Sequence, residues 1–419
     1  MRALSGLTRL VGFGLSMVLL ALASLVLIPV MIRSAGEAGW GAIALGQGIG
    51  GLGAVLVSYG WAMSGPTEIA RGDDATRLAE FLGSLKVRAV MLPAAAVVLV
   101  PITMAIAPVR GDLAAMGTVA TTLTALSTNW YFVGLARPYL LLVLETVPRL
   151  AFTIVGIVVM ENGADAIAGL AWQSVGLVAA FACSTWWILH SLRAGGSVTA
   201  RAPKLRQLLL DHRHGVASSL GSALYSSLPI VVVTVVAPLV QPMYALVDKL
   251  HGQVVVGLFP AVYVAQGWVP RAADPGPRAR KVLLGGIAFC ALIAVGAVLF
   301  GPWLLEVLGS GQLLPGLAVV ELMALGMALH FYAEIVGHAV LATYRRLRIV
   351  TVSIVIATVV GLPLVALGAA NWGVLGALAA VNLGYLIRVL ITAVAAHRAI
   401  GRHLPADGEA TPVLGEVVG

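Results

Sequence analysis

Long apolar runs follow one another along almost the whole chain, and each is the length of a membrane crossing. A hydrocarbon core about 30 Å thick takes about 20 helical residues. Twelve such runs are read at roughly 10–32, 40–63, 89–107, 113–135, 139–160, 166–190, 216–237, 242–267, 282–307, 317–343, 349–368 and 373–397. In hydrocarbon the backbone must satisfy its own hydrogen bonds, which leaves helices or a closed barrel. Barrel strands alternate around a polar lumen, and these runs do not. Hydrophobic residues make up 60% and charged ones 11% of the chain, with a mean hydropathy of +0.99. Soluble domains carry about 25% charge, so a cytosolic enzyme and a disordered chain are both excluded. The first run passes into Arg33 without a small-residue cleavage site, so it is expected to stay as a span rather than be removed as a signal peptide.

Basic residues set the expected orientation. With the amino terminus inside, the cytoplasmic segments hold 21 of the 26 Lys and Arg, and the outer loops hold only Arg33 and Arg110. This asymmetry follows the positive-inside rule and places both termini in the cytoplasm of a cell-membrane protein. The net charge of +8 tracks the membrane edge and anionic lipid, not nucleic acid.

The expected fold is all-α, a polytopic membrane protein with twelve transmembrane helices in two six-helix lobes. The lobes are 1–192 and 216–397, joined by a cytoplasmic linker, 193–215, and followed by a disordered tail, 398–419. Within the linker, Pro203–Leu210 reads equally as an interfacial amphipathic helix or a solvated connection. The segment count suggests an internal repeat. Ala44-Leu45 answers Ala245-Leu246, and Gly60-Trp61 answers Gly267-Trp268.

Several motifs fail on context. Gly46-Gln-Gly-Ile-Gly-Gly51 matches a dinucleotide fingerprint, but it lies inside a span with no strand before it. Small residues there read as close helix packing. No P-loop or zincin motif occurs, and Cys183 and Cys290 sit in apolar runs without disulfide or zinc spacing. No cofactor is expected.

The intramembrane charges are the informative set, because each costs about 2.5–3.5 kcal/mol at the helix centre even on the lenient insertion scale. Asp248 and Lys249 are adjacent in span 8, so they point about 100° apart. Glu145 and Arg149 stand four apart and could neutralise each other. Arg388 could snorkel or face the interior. His330, Glu334 and His338 share one stripe of span 10, with Glu321 earlier on the same helix. That stripe reads as a polar cavity lining or proton relay, as interhelical hydrogen bonding, or as part of a metal site. Lys249 is the leading candidate for a functional cation, with Arg33, Arg149 and Arg388 beside it. Asp248, Glu321, Glu334 and Glu145 are the ion-coupling candidates.

Local sequence adds a resemblance. Ile28-Pro-Val-Met-Ile-Arg-Ser-Ala-Gly36, Glu68-Ile-Ala-Arg71, Asn129-Trp-Tyr-Phe-Val-Gly134, Ala245-Leu-Val-Asp-Lys249 with Pro270-Arg271, Phe300-Gly301 and Trp372-Gly-Val-Leu-Gly376 follow in order along 1–397. Together they resemble the O-antigen, lipid-linked oligosaccharide flippases of the multidrug/oligosaccharidyl-lipid/polysaccharide (MOP) exporter superfamily. The resemblance implies two lobes around a central cavity that opens alternately to each side. It implies an undecaprenyl-pyrophosphate-linked oligosaccharide as substrate, with a glycan polymerase and glycosyltransferases as partners in surface polysaccharide synthesis. Related lipid-II flippases carry cavity cations on the first and eighth helices, where Arg33 and Lys249 stand here. The alternative is an ion-coupled small-molecule or drug antiporter of the same superfamily. An outer-face enzyme is disfavoured by the short outer loops.

Overall fold

The computed structural model describes residues 2–194, 204–272 and 274–401. The tail beyond 401 and most of the expected linker's first half lie outside the described residues. The elements run α1 (Arg2–Ser58), α2 (Trp61–Arg71), α3 (Asp74–Ile106), α4 (Gly111–Thr122), α5 (Asn129–Gly134), α6 (Pro138–Leu141), α7 (Val147–Glu161), α8 (Ala166–Ala194), α9 (Leu205–Val236), α10 (Gln241–Trp268), α11 (Gly276–Leu308), α12 (Leu317–Ile335) and α13 (Leu347–Gly401). There is no strand among the described residues. Nine helices among them are long and apolar enough to cross a membrane.

Two of these stretches are double-length, 60 and 55 residues, one at each end of the described chain. Each is broken by a glycine in the left-handed region, Gly36 (φ 72°) in α1 and Gly373 (φ 58°) in α13. A side chain at either position would be strained, so the kink falls where glycine stands. The expected crossing at 113–135 is also broken. α4 passes into a 3-10 turn, Leu123–Leu126, and resumes as α5 after Ser127–Thr128.

Packing follows small residues, as expected. A Cβ on Gly46 would stand 2.1 Å from the Ala114 carbonyl oxygen, and one on Gly50 2.6 Å from that of Thr118. The glycines of the rejected dinucleotide motif therefore bring α1 onto α4 at backbone contact.

The core is continuous at one end of the molecule and divided at the other. At the first end, Ile28–Ile32 and Trp40–Ala44 of α1 with Leu113 and Met160 share one cluster with Ile230, Tyr244–Val247 and Leu308 from the second half. At the other end, Trp61, Phe81, Trp130 and Phe132 form one cluster, and Val262, Val269, Phe331 and Ala396 form a separate one. Arg71, Arg77, Arg137, Arg271 and Arg345 stand at element ends or turns on this divided side.

Two connections differ from expectation. Pro203–Leu210 is not a separate interfacial helix in its described part, because α9 runs unbroken from Leu205 into the bundle. Its first turns dock on the first half: Leu208 is buried beside Phe81 and Trp61, Tyr59 Oη donates to the Leu209 carbonyl, and His212 stacks on Trp61 at 4.0 Å. Arg88, expected in a cytoplasmic loop, lies well inside α3 and is 3% exposed.

Candidate functional site

A cavity of about 390 Å³ lies where the two halves face each other on the divided side. α1, α4, α7 and α8 line it from the first half and α10 from the second. Arg149 of α7 and Lys249 of α10 both line it. Neither has a hydrogen-bond or ion-pair partner among the described residues. The remaining polar lining is neutral: Gln47, Gln173, Gln253, Ser24 and threonines. No acidic or aromatic side chain is among the described residues lining it.

Lys249, Gln253 and Val256 share a face of α10 at helical spacing. Asp248 and His251, turned roughly 100° or more away, line a different cavity. It has a volume of about 120 Å³, lies wholly within the second half, and also receives Tyr225, His330 and Tyr385. Adjacent residues of opposite charge thus serve opposite walls of one helix.

The second-half cavity leads into a polar chain. His251 Nε2 and His330 Nδ1 stand 3.1 Å apart. His330 Nε2 lies 3.6 Å and His338 Nε2 3.2 Å from the Glu334 carboxylate, and Arg388 donates to it at 2.9 Å. A proton on His330 Nε2, facing Glu334, leaves Nδ1 as an acceptor, so His251 Nε2 must donate to it. The stripe read from sequence is thus joined across helices by His251, Tyr385 and Arg388. Tyr385 stacks on His330 with ring centroids 4.6 Å apart, and Tyr225 lies under the Arg388 guanidinium at 5.3 Å. No group of three or more His, Cys, Asp or Glu positioned to hold a metal occurs among the described residues.

Glu145 does not pair with Arg149. Pro148 has no N–H to give the Leu144 carbonyl, and the preceding turn, Leu142–Thr146, opens to a π-helical geometry. The extra residue in that turn carries Glu145 away from the cavity. It is 2% exposed and accepts hydrogen bonds from Ser127 Oγ at 2.6 Å and from the backbone N–H and hydroxyl of Thr128. Arg88 donates to the carbonyls of Leu126 and Ser127 at 3.3 and 3.0 Å. The cation therefore meets the carbonyl end of the 3-10 turn and the carboxylate the N–H end of α5. Each meets the helix pole of opposite sign, and together they hold the break open.

The other candidates are placed elsewhere. Arg33 pairs with Glu161 and donates to Ser310 of the second half at 3.3 Å, at the end where the core is continuous. Ser310 in turn donates to the Pro29 carbonyl at 3.0 Å. Arg388 is 4% exposed and bound to Glu334, away from the central cavity. Glu321 is exposed near the start of α12, outside both cavities. Sequence reasoning missed Arg88, which sat in an expected loop, and the three glutamines, which carry no charge to mark them as costly inside a span. Gln253 stands four residues after Lys249, and that spacing was available as a signal.

No family model matches the sequence, and no curated protein matches it. Solved structures do. The chain is similar to a crystal structure of MATE in complex with MaL6, at 13% identity over 94% of this chain and 95% of that chain, with a TM-score of 0.58. It is similar to the outward-facing conformation of a multidrug resistance MATE family transporter of the MOP superfamily, at 11% identity over 94% and 95%, with a TM-score of 0.57. A eukaryotic MATE transporter, AtDTX14, matches at 13% identity over 94% and 98%, also with a TM-score of 0.57. The likeness is one of fold: an all-helical bundle of the MATE type.

Proposed function

We propose that the chain is a MOP-type transporter that flips an undecaprenyl-pyrophosphate-linked oligosaccharide from the inner to the outer leaflet by alternating access. One observation carries this reading: Arg149 and Lys249 line one cavity from opposite halves, neither in an ion pair, and no acidic side chain is among the described residues lining it. Holding an unpaired cation away from bulk water is costly. An anionic headgroup entering the cavity would remove that cost, and in a low-dielectric site the attraction exceeds its value in water. The divided end of the core lets such a headgroup enter while a lipid tail stays in the bilayer. The continuous end, with Arg33, Glu161 and Ser310, closes the path.

In this reading the protein is a cell-membrane protein with both termini cytoplasmic. Each double-length helix crosses twice and the broken Gly111–Gly134 stretch once, giving twelve crossings. Residues 1–192 and 216–397 are the two lobes, working with a glycan polymerase and glycosyltransferases. Asp248, His251, His330 and Glu334 take up the coupling ion, a proton or sodium. Because Asp248 and Lys249 are adjacent on α10, an ion bound on one wall moves the cation on the other.

The test is export of the surface glycan in a strain that depends on this gene. Lys249→Ala abolishes export while the protein still inserts, and Lys249→Arg keeps much of it. Normal glycan with Lys249→Ala removes Lys249 from the mechanism. Resistance to cationic drugs on expression, with no effect on glycan, favours the antiporter, whose substrate would have to meet Asp248 in the second-half cavity.

A further inference from the structure

The central cavity holds more hydrogen-bonding groups than two phosphate-binding cations account for. We infer that Gln47, Gln173 and Gln253 form a site that reads sugar hydroxyls, beside the Arg149–Lys249 pair that takes the phosphates. This rests on the function proposed above. The three carboxamides come from α1, α8 and α10, so they surround the cavity and belong to both halves. Gln47 and Gln173 have no hydrogen-bond partner among the described residues, and Gln253 reaches only Ser24 Oγ at a long 3.4 Å.

Gln241 shows what a glutamine does when its task is to join helices. It is 4% exposed, and its Nε2 donates to the Gly41 carbonyl at 2.8 Å across the two halves. The cavity glutamines make no such backbone bond. A carboxamide offers both donors and an acceptor, as each sugar hydroxyl does. It carries no charge, so it neither repels the phosphates nor competes with the cations for them. With no ring to stack on and no acid among the described lining residues, the cavity fits a neutral polyhydroxylated group on an anionic linker. A flat aromatic cation finds nothing there to hold it.

The experiment uses the purified full chain in lipid nanodiscs and two synthetic probes, farnesyl pyrophosphate and the same molecule bearing a neutral disaccharide. In the wild type the disaccharide tightens binding at least about tenfold, as two or more added hydrogen bonds should. The double variant Gln47→Leu, Gln173→Leu loses that gain. Its affinity for farnesyl pyrophosphate stays within about twofold, which also reports that it is folded. Gln253→Met, a single change in the second half, loses part of the gain. A gain that persists in these variants, or is missing in the wild type although farnesyl pyrophosphate binds, overturns the sugar site and leaves the phosphate site standing. If the wild type binds neither probe, or binds them equally well as Lys249→Ala, the proposed function falls and the sugar site with it.

Discussion

Arg149 in the first half and Arg388 in the second are both arginines carried by a helix into the bundle, and they end in opposite situations. Arg388 is sealed at 4% exposure, donates to Glu334 and lies over Tyr225. Arg149 looks into an open cavity, and the nearest acid in sequence, Glu145, has been turned to other donors. A buried ion pair and an unpaired cavity cation make different demands. The first must not lose its partner; the second can act only because it has none. Lys249 and Asp248 repeat the contrast one residue apart, with the cation facing the cavity between the halves and the acid facing the histidine-rich pocket of the second half.

The largest expected effect on binding tests the unpaired side. A charge-assisted hydrogen bond is worth about 1.5–3 kcal/mol, or about 10- to 150-fold in affinity. Lys249→Ala and Arg149→Ala should each weaken farnesyl pyrophosphate binding by a factor in that range. Thermal stability should stay level or rise, since each change removes a cation that the fold leaves unpaired. A marked fall in melting temperature for Arg149→Ala would mean that its partner lies within the protein, and the contrast with Arg388 would be broken.

The paired side behaves in reverse. Glu334→Ala strands Arg388, and removing one member of a buried pair costs about 3–5 kcal/mol. The melting temperature should drop sharply, while farnesyl pyrophosphate binding measured below the transition changes little. Adding Arg388→Met to Glu334→Ala should recover most of the lost stability. If the double variant is as unstable as the single one, the histidines rather than the arginine are what Glu334 holds.

The expected smallest of the pairings is Arg33 with Glu161. Both side chains are 48% exposed, and solvated pairs contribute about 0–1 kcal/mol. Arg33→Ala should therefore lower stability by less than about 1 kcal/mol in thermal unfolding. A loss as large as that of Glu334→Ala would mark this pair, with Ser310 and Pro29, as a main tie between the halves.

Long apolar runs, basic edges and glycine-lined packing were legible in the sequence because each is local, and the helical membrane fold followed from them. Lys249 and Arg149 were legible as expensive charges. Their meeting in one cavity was not, because the fold brings α7 and α10 together from far apart in the chain. Arg88 was hidden by its short distance in sequence from Arg71, Arg77 and Lys86; burial against the Leu126 and Ser127 carbonyls sets it apart from the loop in which it was expected. The separation of Glu145 from Arg149 was hidden too. An i, i+4 rule assumes a regular helix, and Pro148 opens the turn that the rule needs. Asp248 and Lys249 were correctly read as unable to face the same way, but their two destinations needed the helix in place.

Two helix starts extend the comparison from arginines to carboxylates. Glu145 takes the backbone N–H of Thr128 at the start of α5 inside the bundle, and Asp73 takes that of Thr76 at 2.9 Å at the start of α3 in open solvent. The Thr76 hydroxyl also donates to Asp73, at 2.6 Å, and these bonds hold the Asp73 carboxyl below the ordinary carboxylate range. A carboxyl lowered in the folded state stabilises the fold above its ordinary value, and that contribution is lost as pH falls through the lowered one. Asp73→Ala should thus lower the melting temperature slightly at neutral pH, and the difference from wild type should close in acid. Because Asp73 is fully in water, the effect should be the smallest of those considered. Glu145→Ala, which leaves the same kind of N–H unsatisfied where no water reaches it, should cost more. Equal losses at the two positions would show that water enters the break at Ser127–Thr128, and the buried staple would then be no different from a surface cap.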